Sequence, residues 1–326
     1  MTILKRLPAA SFLAVALSVV FVVLQAPTLD YGTRINDLPH IRDYKVASDV
    51  SAGSSLDRET VVTPQGLRAE SLDIWMVRFK LYTVDADEVY SVMALARMRP
   101  AQLQFDPHYY QYGGAFLYPL GAYYFVLSKL GVVSIGPLDA MLADPKRIDR
   151  IWIAGRAFVL AATAVAGLLL FFALSYVAPP ATAIAGLAIF YFCPATIMFS
   201  QVLKPHWYAL LFANAALLIV VRAYVKGALG LGPQIALGTA IGLAVGSAIT
   251  FGLFAILVWG GLLYLVVQRR APLQALVLVP AAAVVVLLLT NPYYVLNLQA
   301  MRAERAVVAT WFAPSFDPAV AAQFFL

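Results

Sequence analysis

The chain has 326 residues, of which 62% are hydrophobic and 12% charged, with a net charge of +6 and a mean hydropathy of +0.81. This composition excludes an ordinary soluble domain and is typical of an all-α polytopic membrane protein. The single cysteine, Cys193, excludes an internal disulfide framework. The basic excess does not indicate nucleic-acid binding, because no basic patch is interleaved with stacking aromatic residues.

The first apolar stretch, 7–26, follows Lys5 and Arg6. It predicts a membrane span with the N-terminus in the cytoplasm, by the positive-inside rule. A cleaved signal peptide is the alternative, but no clear small-x-small cleavage site follows, so an uncleaved span is favoured. Residues 27–150 then form a long outer loop.

Six more apolar runs follow the outer loop, and 291–326 form a last outer segment. Residues 1–326 are therefore expected to make one membrane domain of about seven spans in the cytoplasmic (inner) membrane, with the long loop facing outside. The chain ends without a clear terminal element, which suggests a truncated product. The six later spans are predicted at 151–177, 180–199, 205–223, 232–249, 251–268 and 272–290.

Within the outer loop, 109–133 is apolar and rich in tyrosine, and it fits either a span or an interfacial helix. The interfacial interpretation is favoured because it places the four basic residues after spans four and six inside: Arg222, Lys226, Arg269 and Arg270. Three basic residues count against it, in a long loop that also carries acidic ones: Lys146, Arg147 and Arg150.

Three carboxylates stand together in the outer loop, at Asp85, Asp87 and Glu88. The apolar residues that follow share one helical face, which predicts a helix start here. Asp85 as N-cap and Glu88 three residues later resemble a capping box. Capping explains Asp87 less well, and for that residue capping and a catalytic role both remain open.

Three basic residues near predicted span ends have both a functional and an ordinary interpretation. Arg156 lies several residues inside a span, where arginine either binds a buried partner or an anion, or extends to the surface. Lys204 and His206, in the outer turn 200–207, bind an anion, shuttle a proton, or only anchor the interface beside Trp207; all three interpretations stay open.

Other polar residues carry weaker signals. His108 has no second histidine or cysteine at metal-ligand spacing, so a surface histidine is expected. Asn291 and Pro292 are interpreted as an ordinary helix terminator. No nucleotide-binding or HExxH signature is present, so nucleotide-driven pumping has no support in the sequence.

In order, these parts resemble the GT-C superfamily of integral-membrane glycosyltransferases, and within it the protein O-mannosyltransferase and aminoarabinose transferase type (glycosyltransferase family 39). The resemblance covers nearly the whole chain, although each motif is short. It rests on the pair Asp87-Glu88, the Pro- and Tyr-rich stretch 105–121, Arg156 heading the next span, the outer turn 200–206, the Gly-rich span 238–246, and Asn291-Pro292-Tyr293.

The resemblance implies transfer of a sugar from a polyprenyl-phosphate-linked donor to an acceptor protein, lipid or glycan on the outer face. It implies that Asp87 acts as the base, with Glu88 as a second catalytic candidate. Arg156, Lys204 and His206 would bind the substrate phosphate. No cofactor is implied, although a divalent metal is possible.

Two positions depart from the family pattern. His206 stands where many members carry a second acidic residue, and Thr250 stands near a position that is often lysine. Family proteins also usually continue with more spans. A transporter or lipid flippase, or an inactive truncated homologue, is the alternative interpretation.

Overall fold

The computed structural model describes residues 7–33, 80–81, 83, 85, 87–136, 141 and 144–311. Lys5 and Arg6, the outer-loop residues 34–79 and the segment 312–326 lie outside these residues, so the expectations about them stay untested. Over the described ranges the chain is helical, and extended pairing is limited to two isolated bridges. The helices are α1 (Leu7–Gln25), α2 (Glu88–Arg97), α3 (Gly114–Lys129), α4 (Pro145–Val177), α5 (Pro180–Phe192), α6 (Pro194–Phe199), α7 (Pro205–Lys226), α8 (Leu231–Ser247), α9 (Gly252–Val267), α10 (Ala275–Thr290), α11 (Tyr293–Leu296) and α12 (Leu298–Trp311).

Among the described residues, four helices are long and apolar enough to cross a membrane, which is consistent with a helical membrane protein. They cover Ala9–Thr28, Lys146–Val177, Pro205–Lys226 and Ile249–Val267. Three shorter apolar helices, α5, α8 and α10, lie at the other predicted spans. At about 1.5 Å per residue they are shorter than a hydrocarbon core of about 30 Å, so the count of seven spans stays a prediction.

The predicted span 180–199 is not one helix. Helix α5 ends at Phe192 and α6 begins at Pro194, with Cys193 extended between them at φ −69° and ψ 142°. The residue before a proline is disfavoured in the helical region, and proline itself suits the first position of a new helix. The local sequence therefore divides this apolar run into two helices.

One end of the helix assembly brings together the end of α1, the first turns of α4 and α7, and the ends of α8 and α10. We call it the carboxylate end, because Glu88 binds Arg156 of α4 and the backbone of Leu203 there. The other end carries the last turns of α7 and α9, joined by a hydrogen bond from Arg270 to the Tyr224 carbonyl. Helix α7, with 22 residues, separates the two ends by about 33 Å.

Helix α3 lies across the carboxylate end. The backbone N–H of Gly114, at its start, donates to Asn291 after α10, at 2.7 Å. Ten residues later the Tyr124 hydroxyl donates to the Ile151 carbonyl in α4, at 2.8 Å. Gly114 and Tyr124 of α3 therefore both contact the carboxylate end of the assembly, and the choice between an interfacial helix and a span stays a prediction.

Helices α8 and α10 pack with their backbones in close contact. Gly238 and Gly242 recur at a spacing of four on one face of α8. A Cβ atom at Gly238 or Gly242 would lie 2.5 Å from a backbone carbonyl oxygen of α10. Small residues at such positions allow the close approach on which helix association in membranes depends.

We expect Gly242→Ala to destabilise the protein by about 1–3 kcal/mol, because the new methyl group overlaps the Ala283 carbonyl and forces the helices apart. Gly260→Ala in α9 is the matched control, since a Cβ there meets nothing within 4 Å. Thermal unfolding of the detergent-solubilised variants measures the difference. Equal unfolding midpoints for the two variants would contradict this account of the packing.

Candidate functional site

The carboxylate end is organised by a buried ion pair between α2 and α4. Arg156 donates from Nε to Glu88 Oε1 at 2.9 Å and from Nη2 to Oε2 at 2.5 Å. The Glu88 side chain is 0% exposed and that of Arg156 is 4% exposed. The two parallel hydrogen bonds match the planar guanidinium to the carboxylate, which is the strongest form of this pair.

The pair also binds the neighbouring backbone. Arg156 Nη1 donates to the carbonyl oxygens of Leu29, at 2.8 Å, and Tyr31, at 2.7 Å. Glu88 accepts the Leu203 N–H at 2.6 Å and the hydroxyl of Thr83. Buried charges are tolerated when they are paired and their remaining hydrogen-bonding capacity is used. Through these bonds the single pair joins four separate chain segments.

The capping-box prediction is wrong. Helix α2 has Asp87 at its N-cap, without a side-chain capping bond. The Asp85 carboxylate instead accepts the Asp87 N–H at 3.0 Å, which is an Asx turn before the helix. Glu88 turns inward because an unpaired buried Arg156 would cost more than the roughly 1 kcal/mol that a cap contributes.

Arg156 does not extend to the membrane surface; it faces the interior and has a partner there. Four of its N–H donors already bind Glu88 or backbone carbonyls. The one remaining N–H donor belongs to a side chain that is only 4% exposed, so a substrate phosphate has little access to the guanidinium. The catalytic role expected for Glu88 and the phosphate role expected for Arg156 are therefore disfavoured by this geometry, which suits a structural pair.

The residues next to the buried pair carry the accessible charges. Lys204 Nζ lies 2.9 Å from Asp85 Oδ2 and 2.8 Å from Asp87 Oδ2. We call these three residues the Lys204 cluster. The side chain of Asp87 is 57% exposed, against 27% for Asp85 and 18% for Lys204. Asp87 is thus the carboxylate of the cluster that a substrate can reach most easily.

The buried pair places the Lys204 cluster. Asp87 directly precedes Glu88, and Lys204 directly follows Leu203. Glu88 binds the Leu203 N–H, and the Ser91 hydroxyl donates to the Leu203 carbonyl at 2.9 Å. The outer turn and the start of α2 are therefore joined through the backbone, which brings the next side chains, Asp87 and Lys204, together.

Lys204 keeps its charge at neutral pH. Burial lowers its pKa, but hydrogen bonds to Asp87 and Asp85 outweigh this effect, and the net shift is upward from 10.5. A lysine pKa that is higher in the folded protein contributes its full stabilisation at pH values below the lysine pKa of the unfolded chain. That stabilisation is lost as pH rises through the pKa of the folded protein. The cation therefore persists between the two carboxylates throughout the physiological range.

A row of aromatic side chains borders the cluster. Tyr90 and Tyr109 stack with centroids 5.0 Å apart, and Tyr112 meets Tyr109 edge-on at 5.2 Å. His206 is exposed, and its ring lies 6.5 Å from that of Tyr112. Burial raises the pKa of Tyr109 and of Tyr112, so both phenols stay protonated near neutral pH. His206, predicted to bind phosphate, thus lies beside the row and near Lys204.

Asn291 has a role that the sequence did not reveal. Its side chain is 4% exposed, accepts the Gly114 N–H at 2.7 Å and donates to the Gly246 carbonyl at 3.2 Å. It therefore joins α3, α8 and α10 rather than only ending a helix. An amide at the end of an apolar run, together with the Gly113-Gly114 pair, is the signal that could have suggested it.

A second polar network joins the loop before α3 to the last helix. The Asp106 carboxylate accepts hydrogen bonds from Asn297, at 2.9 Å, and from the Tyr110 hydroxyl, at 3.1 Å. Glu304 accepts the Tyr110 N–H. His108 is 58% exposed at the edge of this network, which agrees with the predicted surface histidine.

A metal site would need several ligating side chains to converge. In the part of the chain that the structure describes, no three His, Cys, Asp or Glu residues do so. At the Lys204 cluster, an ammonium group occupies the space between two carboxylates that a cation would otherwise share.

Comparison with known proteins identifies no relative of this chain. No protein-family model, no curated protein and no solved structure matches this chain. The similarity to membrane glycosyltransferases therefore remains a resemblance carried by short motifs.

We expect Glu88→Gln to destabilise the protein by about 3–5 kcal/mol, because it leaves Arg156 charged and buried without its partner. Asp87→Asn, one residue earlier and largely exposed, should change stability by less than about 1 kcal/mol. The double variant Glu88→Leu/Arg156→Met should recover part of the loss, since it removes both charges.

Thermal unfolding in detergent measures all three variants. If Glu88→Gln and Asp87→Asn unfolded at the same temperature, the structural role of the buried pair would be wrong.

Proposed function

We propose that this protein is a glycosyltransferase that moves a sugar from a polyprenyl-phosphate donor to an acceptor at the carboxylate end. The observation that supports this most directly is the accessible Asp87 carboxylate 2.8 Å from Lys204, on a bundle with helices long and apolar enough to cross a membrane. A base and a cation side by side at a membrane surface suit a reaction in which a nucleophile is activated and a lipid phosphate departs.

Asp87 acts as the general base in this proposal. The acceptor hydroxyl or amine transfers its proton to the carboxylate while its heteroatom attacks the anomeric carbon of the sugar. The bond between that carbon and the phosphate oxygen breaks, and its electron pair stays on the oxygen. The products are the glycosylated acceptor, polyprenyl phosphate and protonated Asp87, which then releases its proton to water.

Lys204 neutralises the phosphate as negative charge develops on the leaving oxygen. Its ammonium is a compact charge on a flexible stem, and it can move between partners more easily than the buried Arg156. In the structure it binds Asp85 and Asp87. We propose that a bound donor phosphate replaces one carboxylate, most easily the exposed Asp87, which then becomes available as the base.

The surroundings suit a donor whose chain remains in the bilayer. Helix α3 lies across the carboxylate end and leaves apolar residues exposed, including Phe125 at 60% and Val126 at 53%. An apolar surface on a helix that contacts the carboxylate end fits a lipid chain with a phosphate head. The aromatic row of Tyr90, Tyr109 and Tyr112, which borders the Lys204 cluster, provides phenol donors and ring faces.

The position of the charges argues against a transporter. Transporters commonly place ionisable groups near the bilayer midplane, at broken helices. Here the stretches 157–177, 205–221, 231–247, 252–267 and 275–290 contain no Asp, Glu, Lys or Arg. The charged residues of these apolar helices therefore lie toward the helix ends, where a surface reaction needs them.

We expect Asp87→Asn to lower sugar transfer by about 10²–10⁴-fold, because the amide cannot accept the proton. The assay supplies labelled polyprenyl-phosphate mannose or aminoarabinose and follows the label into membrane protein, lipid and glycan fractions. Asp144→Asn, which removes a half-exposed carboxylate paired with Arg147, is the control and should retain activity. Undiminished transfer by a folded Asp87→Asn protein would refute the role of Asp87.

We expect Asp85→Asn to bind polyprenyl phosphate more tightly than the unmodified protein, because Lys204 then loses a competing carboxylate. Lys204→Gln should bind it more weakly, by roughly tenfold, since a charge-assisted hydrogen bond is lost. Titration of the protein in nanodiscs measures both, with Asp144→Asn again as the control. Affinities that shift in the same direction in the two variants would contradict the proposed exchange at Lys204.

A further inference from the structure

The end of the assembly opposite the carboxylate end carries four basic residues on two neighbouring helix termini. Arg222 and Lys226 lie in the last turns of α7, and Arg269 and Arg270 directly follow α9. We call them the basic end. Arg270 joins the two termini, because it donates to the Tyr224 carbonyl and its guanidinium lies 4.5 Å from the centre of the Tyr224 ring.

These charges have no counterion in the neighbouring sequence. No Asp or Glu occurs between Asp149 and Glu304, so the segments 178–179, 227–230 and 268–274, which connect helices at this end, contain none. The six residues before α1 contain none either. Arg222, Lys226 and Arg269 are exposed, and no ion pair of theirs occurs among the described residues.

The surface next to the basic end is apolar. Val267 is 70% exposed, Tyr264 50% and Val225 47%. Each lies within five residues of Lys226 or Arg269 along the chain. A small inorganic anion would use the charges alone. An amphiphile with an anionic head and hydrocarbon chains would use both features, since its chains would cover the exposed apolar side chains.

We propose that the basic end binds the phosphate headgroup of an anionic phospholipid from the adjoining leaflet. Arginine matches phosphate oxygens through two parallel hydrogen bonds, and Arg222 and Arg269 are exposed on adjacent helix termini. Arg270, held against Tyr224, fixes the two termini beside each other and so sets their spacing. The site lies about one helix length from Asp87, and it does not depend on the proposed sugar transfer.

Native mass spectrometry of the purified protein tests the proposal, with phosphatidylglycerol, phosphatidylcholine or inorganic phosphate added separately. We expect the protein to retain phosphatidylglycerol. Its affinity should fall by roughly thirtyfold in Arg222→Gln/Arg269→Gln, which corresponds to about 2 kcal/mol for the two charges lost. Lys129→Gln/Arg302→Gln is the control: it removes the same charge from exposed positions in other helices and should retain the lipid.

Three results would overturn the proposal. Equal retention of phosphatidylcholine would show that the headgroup charge is not recognised. Equal loss in the control double variant would show a dependence on net charge rather than on this site. Binding of inorganic phosphate with an affinity equal to that of the lipid would indicate a free-anion site. Because Arg270 is unchanged in every variant, the contact with Tyr224 is kept, and thermal unfolding checks that each variant is folded.

Discussion

The buried pair of Glu88 and Arg156 is the interaction on which the carboxylate end depends. Two charges removed from water are stable only when each satisfies the other and their remaining donors and acceptors are used. Here that requirement binds the end of α1, the start of α2, the first half of α4 and the turn before α7. No apolar contact could specify this arrangement as narrowly, because dispersion and hydrophobic contacts are not directional.

The accessible chemistry takes its position from this pair. Asp87 and Lys204 are covalent neighbours of residues that the pair holds, so they are placed by backbone geometry rather than by their own weak, partly solvated attraction. Stability and reactivity are thereby assigned to adjacent residues. Glu88 supplies the structural carboxylate and Asp87 the exposed one, although the two are alike in type and follow each other in the chain.

Several features were predictable because they depend on local sequence. Apolar runs located the seven apolar helices of the described residues, and the tyrosine-rich stretch before the second run contains α3. Other predictions were wrong because contacts between residues far apart in the sequence determined where the side chains lie. Asp85 and Glu88 were expected to cap α2, but Glu88 turned toward Arg156, 68 residues away. Asn291, interpreted as a terminator, binds Gly114, 177 residues away. The break at Cys193 was local and could have been inferred from Pro194.

The sequence by itself determined that this is a helical membrane protein with no carboxylate between Asp149 and Glu304, where six of its seven apolar helices lie. Hydropathy and charge order are properties of the chain, and a bilayer acts on them directly. Only the tertiary structure decided which carboxylate is buried, which arginine is occupied and which lysine lies beside Asp87. The physical reason is that the cost of a buried charge depends on its partner, and these partners lie on helices far apart in the sequence.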